Sequence, residues 1–283
     1  MARLRRYLSL IKSLQTGLLL VTGLAGYLSG AALNQPGTWA TLGALAGSLG
    51  LAIAGSTLLN MVYDRDIDAK MKRTCARPLP AGQVDARGVL GLGLAASAAG
   101  VGWAFALGSG FGSVVLAGWF LDSVIYTVWL KRRTPYSVII GGLSGGMPAL
   151  AGRVLATGQF DLAGGLLTAA VLAWIPTHIL TYSLKYADDY RAAGVPTFPA
   201  AYGAAVTRGL IAGASLAAAG LMLAAAVTVG LAQGPLQVLA GLGAGLAGLA
   251  AVSVWRPSPR VNFGLFKFAS LYMLASMLLL GAA

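Results

Sequence analysis

Long runs of apolar residues that carry almost no charge divide this sequence, and they limit the folds open to it. A helix needs about 20 apolar residues to cross the hydrocarbon core of a bilayer. Nine runs are of about this length, and Gly, Pro or charged residues mark the breaks between them. We therefore predict an all-α, polytopic membrane protein, one domain over residues 1–283, with spans at about 10–33, 38–62, 88–108, 112–130, 136–157, 162–186, 206–231, 236–255 and 262–282.

The charge content agrees with a membrane location. Only 10% of the residues are charged, whereas soluble proteins carry about 25%. A net charge of +12 would suggest a nucleic-acid partner in a soluble chain. In a membrane protein it is better assigned to loops that face the cytoplasm, so we predict no nucleic-acid partner. The single cysteine, Cys75, excludes an intrachain disulfide.

Basic residues fall on alternate connections between the predicted spans. Arg3, Arg5, Arg6 and Lys12 precede or open the first span. The second-to-third, fourth-to-fifth, sixth-to-seventh and eighth-to-ninth connections, with the helix ends beside them, hold all the others except Arg153. The positive-inside rule then predicts a multi-pass protein of the cell membrane, with a cytoplasmic amino terminus and the carboxyl terminus outside.

The inner end of the second span carries a dense cluster of acidic and basic side chains. Asn60, Asp64 and Asp68 have i, i+4, i+8 spacing, so on a continuing helix they share one face. This face presents one amide and two carboxylates in the same direction. A solvated helix end with ion pairs to Arg65 and Arg73 is the alternative interpretation of this cluster taken alone.

A second cluster, at the inner end of the sixth span, favours a functional interpretation. Lys185 and Asp189 are again four residues apart, and Asp188 lies beside them. A Pro-containing tail follows each cluster, PLPAG in one case and PTFPAAYG in the other, so the two stretches form a weak internal repeat. Together they place Asp64 and Asp68 on the same side of the membrane as the second pair of acids.

The residue types in these clusters suit a lipid diphosphate. Carboxylates that face one another need cations between them, and magnesium takes oxygen ligands while retaining waters and substrate phosphates. Arg73 and Arg77 could hold phosphate oxygens by forked hydrogen bonds. An apolar tunnel between helices would take a lipid tail. The chemistry thus suggests an enzyme that acts on a lipid diphosphate at the cytoplasmic face.

The first cluster also carries a family resemblance. Asn60, Asp64 and Asp68 match the N-x-x-x-D-x-x-x-D motif of the UbiA superfamily of intramembrane prenyltransferases, which have nine transmembrane helices and an active site at the cytoplasmic side. The similar stretches extend over residues 60–199, about half of the chain. The runs M-K-R-T-x-x-R-P-L-P, W-L-K-R-R-T-P, P-T-H and D-D-Y-x-x-A-G-x-P resemble the branch that farnesylates heme b.

The resemblance implies transfer of farnesyl from farnesyl diphosphate to the 2-vinyl group of heme b, giving heme O, with magnesium or manganese as cofactor. The two substrates and the lipid bilayer are the partners it indicates. The implied metal ligands are Asn60, Asp64, Asp68, Asp188 and Asp189. Asp64, Asp68, Lys185 and Asp189 are the implied catalytic residues, and Asn60, Arg73, Arg77 and Lys131 contact the diphosphate.

Aromatic residues and one histidine are the candidates for binding the prenyl chain or the acceptor. The faces of Tyr126, Trp129, Tyr182 and Tyr186 could stabilise an allylic cation by cation–π attraction. Packing in the core or at the membrane interface is the alternative for each. His178, the only histidine, could approach heme iron or a propionate, or form a hydrogen bond to a neighbouring helix.

Some residues depart from the pattern of the similar branch. Lys185 stands where many members of the superfamily have aspartate, as in the heme-farnesylating branch, and residues 196–199 read P-T-F-P instead of P-M-L-P. Asp122, inside the fourth span, should face the bundle interior near Lys131 or the acceptor. Arg153 should snorkel to the outer interface, with a propionate contact as the alternative.

Three other functions compete with heme farnesylation. The first is a prenyltransferase of the same superfamily whose acceptor is aromatic or lipid, such as 4-hydroxybenzoate or a quinone precursor. The second is a secondary transporter, but transporters place their substrate near the midplane on broken helices, whereas these acids gather at helix ends. The third is a membrane assembly factor, which explains the basic loops but not the aligned carboxylates.

Overall fold

All regular secondary structure in the described part of the chain is helical. The computed structural model describes residue 10, residues 13–31 and residues 38–281. The long helices are α1 (Ser13–Leu28), α2 (Thr38–Tyr63), α4 (Ala86–Leu107), α5 (Ser109–Leu130), α6 (Ser137–Thr157), α7 (Leu162–Lys185), α9 (Phe198–Thr228), α10 (Gln233–Trp255) and α11 (Pro259–Leu280), and the short ones are α3 (Arg65–Asp68) and α8 (Ala187–Ala192). The second part of α5, Leu121–Leu130, is a π-helix.

Eight of these helices are long and apolar enough to cross a membrane, namely α2, α4, α5, α6, α7, α9, α10 and α11. The first predicted span corresponds to α1, a shorter apolar helix of 16 residues. Part of that predicted span, and the basic residues before it, lie outside the described residues. The structure therefore confirms an all-helical, multi-pass bundle, and the count of nine spans stays a prediction.

The start of the seventh predicted span, at about residue 206, lies close to the start of the continuous part of α9. Helix α9 begins at Phe198, but Gly203 has non-helical φ and ψ, so the uninterrupted helix starts just after that residue. Pro199 lies in the first turn of α9, where a missing N–H has no cost. Phe198 is buried, and its ring packs edge-on against Tyr136 at 5.9 Å between centroids. The Pro- and Gly-containing stretch is thus a helix start with an interruption at Gly203, where φ is 79°.

The long helices form a closed ring. Each packs against the next long helix in the chain, and α11 returns to pack against α1. One apolar core lies among α1, α2, α4, α5 and α6, and a second lies mainly among α7, α9, α10 and α11. Helix α6 joins them, because Ala149 belongs to one core and Ala151 to the other.

Glycines permit the closest helix contact, between α1 and α6. A Cβ atom added at Gly152 would lie 1.9 Å from the carbonyl oxygen of Gly23, and one added at Gly26 would lie 2.1 Å from that of Ala149. Small residues are known to allow such approaches in lipid. Helices α2 and α4 also approach closely, since a Cβ atom added at Gly100 would lie 2.3 Å from the backbone nitrogen of Ala52.

We expect Gly152→Ala to destabilise the protein by about 1–3 kcal/mol, because the added methyl group must push α1 away from α6. Thermal unfolding in detergent would measure the effect. Gly165→Ala is the control, because a Cβ atom there meets nothing within 4 Å. Equal unfolding temperatures for the two variants would contradict this account of the contact.

A partly buried ion pair joins three helices at the end of the bundle where α6 finishes. Arg153 pairs with Asp161 at 2.7 Å and also donates a hydrogen bond to the carbonyl oxygen of Ser29. The Asp161 carboxylate caps α7 by accepting from the N–H of Gly164 at 2.8 Å. Burial opposes its ionisation, but the hydrogen bonds from Arg153 and Gly164 keep the pKa of Asp161 below its usual value. Arg153 thus contacts residues at the ends of α1 and α7, and its snorkelling to the outer interface stays a prediction.

Candidate active site

Two long helices end in the same way, each with a break followed by a short acidic helix. Helix α2 stops at Tyr63, Asp64 leaves helical geometry at φ −87° and ψ 2°, and α3 follows. Helix α7 stops at Lys185, Tyr186 leaves it at φ −112° and ψ 30°, and α8 follows. This shared construction supports the internal repeat seen in the sequence.

The face shared by Asn60, Asp64 and Asp68 persists across the break. The N–H of Asp64 donates to the Asn60 carbonyl at 2.9 Å, and the N–H of Asp68 donates to the Asp64 carbonyl at 2.8 Å. These bonds keep the i, i+4 register although regular helix is interrupted. The side chains of Asp64 and Asp68 are only 3% and 9% exposed, so the charged cluster is not a solvated helix end.

Basic residues from two connections pair with these acids. Asp64 pairs with Lys131, which follows α5, and Asp68 pairs with Arg77 at 2.8 Å. These are not the partners, Arg65 and Arg73, that the alternative interpretation proposed.

The exposed acid of the cluster, Asp66, is held by a residue that the sequence analysis missed. Arg132 donates to both of its carboxylate oxygens, at 2.6 and 2.8 Å. These hydrogen bonds keep the pKa of Asp66 below its usual value. Arg132 also lies 3.9 Å from the carboxylate of Asp64. Its position in the K-R-R run beside Lys131 was the available signal.

The second cluster meets the first through Asp189. Its two carboxylate oxygens accept hydrogen bonds from the backbone N–H groups of Lys72 and Arg73, at 3.2 and 3.3 Å. The Nε atom of Arg73 lies 3.8 Å from the same carboxylate. The structure thus brings together two acidic stretches that are more than one hundred residues apart in the chain.

Three tyrosines surround the guanidinium group of Arg73. Its Cζ atom lies 5.2, 5.6 and 5.2 Å from the ring centroids of Tyr182, Tyr186 and Tyr190. The hydroxyl of Tyr182 also accepts from Arg73 at 3.4 Å. Tyr182 and Tyr186 were candidates from the sequence, whereas Tyr190 was missed. The i, i+4, i+8 spacing of the three rings could have revealed it.

Three predicted site residues are exposed, although Lys185 still lies 5.2 Å from the ring centroid of Tyr186. The Asp188 side chain is 94% exposed and pairs with Arg191 at 2.9 Å, so the structure does not support it as a metal ligand. Lys185 is also exposed, and its ammonium group lies 3.8 Å from the centroid of the Phe263 ring. Trp129 is 52% exposed, which agrees with the interfacial alternative.

Tyr126 lies beside the acidic cluster. The Nζ atom of Lys131 is 5.6 Å from its ring centroid. Both residues line a small cavity of about 30 Å³, together with residues that include Tyr190, Thr197 and Phe198. Among the predicted aromatic candidates, Tyr126, Tyr182 and Tyr186 therefore remain close to the carboxylates.

His178 lies in the middle of α7 between two aromatic rings. The Trp174 and Phe266 rings stack on its two sides, each at 4.7 Å between centroids. Its Nδ1 atom is 3.2 Å from the hydroxyl of Ser270 on α11. The contacts match the second of the two interpretations, a hydrogen bond to a neighbouring helix.

A row of polar contacts runs from the acidic cluster along α2 and α5 into the membrane. The hydroxyl groups of Ser56 and Ser123 are 2.7 Å apart, and the Nδ2 atom of Asn60 donates to the hydroxyl of Thr127 at 2.9 Å. Asp122 accepts from Ser56 and thus faces α2, while its predicted place near Lys131 or the acceptor stays a prediction. Thr127 was not among the sequence candidates, although it lies four residues before Lys131.

The donor set suits a hard divalent cation. All its candidate ligand atoms are oxygens, and one buried oxygen, Oδ1 of Asp64, has no hydrogen-bond donor. The ion pairs match four acids with four bases, so an entering diphosphate would need further positive charge. Among the described residues no three acids, histidines or cysteines converge on one point. Any ion here would therefore need substrate oxygens to complete its coordination, which is the usual arrangement for magnesium.

Buried carboxylates beside guanidinium groups and tyrosines, at the ends of membrane-length helices, are typical of a membrane-embedded enzyme. The family model of the UbiA prenyltransferase family matches residues 19–274. The chain belongs to the UbiA prenyltransferase family.

Relatives and a solved structure agree with this family. The chain is 47% identical to a protoheme IX farnesyltransferase of Thermofilum pendens over 69% of this chain and 68% of the relative. It is 37% identical to that of Pyrobaculum neutrophilum over 93% of this chain and 94% of the relative. A UbiA homologue from Archaeoglobus fulgidus bound to GPP and Mg²⁺ has the same fold, with a TM-score of 0.72, 17% identity and coverage of 98% and 100%.

Proposed function

We infer that this chain is a protoheme IX farnesyltransferase, the enzyme that converts heme b to heme O. The observation that carries the inference is 37% identity, over almost the full length of both chains, to a relative of that name. The acceptor is heme b and the donor is farnesyl diphosphate. A different acceptor, such as 4-hydroxybenzoate, would use the same diphosphate site and is the alternative that the assay below decides.

The basic residues of the site would bind and orient the diphosphate. Arg73 and Arg77 carry planar guanidinium groups that can donate two hydrogen bonds each to phosphate oxygens. Lys131 adds a buried positive charge beside Asp64. Asn60, Asp64, Asp68 and Asp189 would hold magnesium, which when bound neutralises negative charge on the diphosphate leaving group.

The aromatic residues would protect the reactive end of the prenyl chain. When the C–O bond of farnesyl diphosphate breaks, the electron pair leaves with diphosphate and an allylic cation remains. The ring faces of Tyr182, Tyr186 and Tyr126 can stabilise this cation by cation–π attraction. The vinyl carbon of heme b then attacks the allylic carbon. Water adds to the new cation and loses a proton, giving the hydroxyethyl group.

We propose that the site faces the cytoplasm of a cell-membrane protein with nine spans. The basic residues around the site, among them Arg73, Arg77 and Arg132, lie on connections that the positive-inside rule assigns to the cytoplasm. Ser56 with Ser123, Asn60 with Thr127, and Asp64 with Lys131 are each 67 residues apart, so α2 and α5 run in the same direction. These two helices are the second and fourth predicted spans, which must be parallel if successive spans alternate in direction.

Purified protein in detergent, given farnesyl diphosphate, heme b and Mg²⁺, is expected to form heme O. Chromatography with mass spectrometry would identify the product. Heme b and 4-hydroxybenzoate should be offered in separate reactions, and prenylation of the second compound alone would overturn the proposed acceptor.

Chelation with EDTA is expected to reduce heme O formation to background, because the charges of Arg73, Arg77, Lys131 and Arg132 are already balanced by four carboxylates and the diphosphate brings further negative charge. Excess Mg²⁺ should restore the activity. Mn²⁺ is expected to substitute, since it also accepts carboxylate and phosphate oxygens. Full turnover in EDTA would contradict the role of the metal, but it would not bear on which acceptor is prenylated.

A further inference from the structure

We propose that Thr127 is a positioning residue that turns the side-chain oxygen of Asn60 toward the metal–diphosphate site. This inference rests on the proposed function, because it assigns a role within that site. Asn60 is the one member of the N-x-x-x-D-x-x-x-D motif whose side chain is an amide, and an amide can present either oxygen or nitrogen. Only the oxygen can bind a metal ion.

Four side-chain contacts connect residues 56–64 to the segment 121–131. Ser56 meets both Asp122 and Ser123, Asn60 meets Thr127, and Asp64 pairs with Lys131. In the contacts with Ser123, Thr127 and Lys131 the two residues are 67 positions apart. Asn60 therefore lies between a buried hydroxyl pair on the membrane side and a partly buried ion pair on the site side, and Thr127 is its partner.

The direction of the hydrogen bonds fixes the orientation of the amide. The Thr127 hydroxyl has one proton, and it donates this proton to the carbonyl oxygen of Asp122 at 2.8 Å. Toward Asn60 the hydroxyl can therefore only accept a hydrogen bond. Asn60 must present its NH₂ group to Thr127, as observed at 2.9 Å. The amide oxygen, Oδ1, is then directed away from Thr127.

The π-helix makes this direction possible. Thr127 and Asp122 are five residues apart, and in an α-helix a threonine hydroxyl bonds a carbonyl three or four residues back. The wider turns of a π-helix, with i to i+5 bonds, bring the carbonyl of Asp122 to the hydroxyl of Thr127. Thr127 itself is only 2% exposed, so water does not compete for its proton. The π-helix thus leaves the Thr127 hydroxyl able only to accept a hydrogen bond from Asn60.

The test is the affinity of the site for Mn²⁺, used as a paramagnetic probe for Mg²⁺. Free Mn²⁺ would be measured by EPR on the purified full chain with farnesyl diphosphate and without heme b, so that no transfer occurs. Thr127→Val keeps the shape of the side chain and removes both hydrogen bonds. We expect it to weaken Mn²⁺ binding by about 10- to 100-fold, the usual effect of removing a partner that orients a metal ligand.

Three comparison variants separate orientation from general stability. Thr127→Ser keeps the hydroxyl group and should restore near-wild-type affinity. Ser123→Ala removes the neighbouring buried hydroxyl, which contacts Ser56 instead of Asn60, and should leave Mn²⁺ affinity unchanged. Thr127→Val should have no further effect in an Asn60→Ala background, because a residue that acts through another is not additive with it. Thr127→Ala replaces Thr127→Val if the latter does not fold.

Each outcome decides a different point. Wild-type affinity in Thr127→Val, or additive losses in the double variant, would overturn the positioning role. An equal loss of Mn²⁺ affinity in Ser123→Ala would show that Thr127 acts through the packing of α2 against α5 and not by orienting Asn60. If wild-type protein binds no Mn²⁺ with farnesyl diphosphate, the inference and the metal role are both wrong. If the affinities change as expected but heme b is not farnesylated, only the proposed acceptor is wrong.

Discussion

The substitution Asp64→Ala is expected to abolish heme O formation, with a loss on the order of 10²–10³-fold or more, as found when one electrostatic contact to the developing charge is removed. Asp64 lies at the centre of the motif face, and its side chain is only 3% exposed. Its second carboxylate oxygen is buried without a hydrogen-bond donor, so it is available to a cation. Initial rates with saturating farnesyl diphosphate and heme b would measure the loss.

Two further variants show whether the loss is chemical. Removal of Asp64 leaves the ammonium group of Lys131 without its carboxylate, so the unfolding temperature must be measured together with the rate. Asp64→Asn keeps the volume of the side chain and should be nearly as inactive. Asp66→Asn is the matched control, because Asp66 is 59% exposed and its pair with Arg132 contributes little stability. Wild-type turnover in folded Asp64→Asn would exclude the proposed role.

Asp189→Ala should produce a comparable loss of activity for a different reason. The carboxylate of Asp189 holds the backbone N–H groups of Lys72 and Arg73, so it orders the loop that carries both proposed phosphate-binding arginines. We expect a loss on the order of 10²-fold, the typical effect of a misplaced binding group. Hydrogen–deuterium exchange of the peptide that contains residues 70–77 should also become faster, since two of its amides lose their acceptor.

The neighbouring acid provides the control for this prediction. Asp188 is 94% exposed and pairs only with the exposed Arg191 among the ion pairs described. Asp188→Ala should therefore keep both the activity and the exchange rates of the wild type. Equal losses in Asp188→Ala and Asp189→Ala would restore the interpretation drawn from the sequence, in which both acids bind metal. An active Asp189→Ala would contradict the geometry.

The sequence predicted the positions of the helices well because the hydrocarbon core imposes one length on every span. It also predicted the shared face of Asn60, Asp64 and Asp68, since this face depends on local helical register alone. The short helical segment before Gly203 was missed because Pro and Gly near residue 200 are typical of loops. The apolar packing of Phe198, which overrides that tendency, is a tertiary contact.

The partners of the acids could not be predicted from the sequence. Asp64 pairs with a lysine 67 residues away and Asp68 with an arginine only nine residues away, and charge alone does not distinguish them. The π-helix was equally hidden, because nothing in L-D-S-V-I-Y-T-V-W-L separates it from an α-helix of the same residues. The proposed role of Thr127 depends on the π-helix, so the sequence position of this short polar residue in an apolar span did not indicate it.

The tie between Arg153, Asp161 and Ser29 has a consequence for biogenesis. A charged arginine inside a membrane span is costly without a partner, and Arg153 lies about one turn before the end of α6. Ser29 is translated long before Arg153, and Asp161 follows only eight residues later. Every partner of this arginine is therefore available when α6 and the start of α7 leave the ribosome, before α9 to α11 have been made. Asp161 can therefore neutralise the guanidinium group of Arg153 during insertion, before the ring of helices is complete.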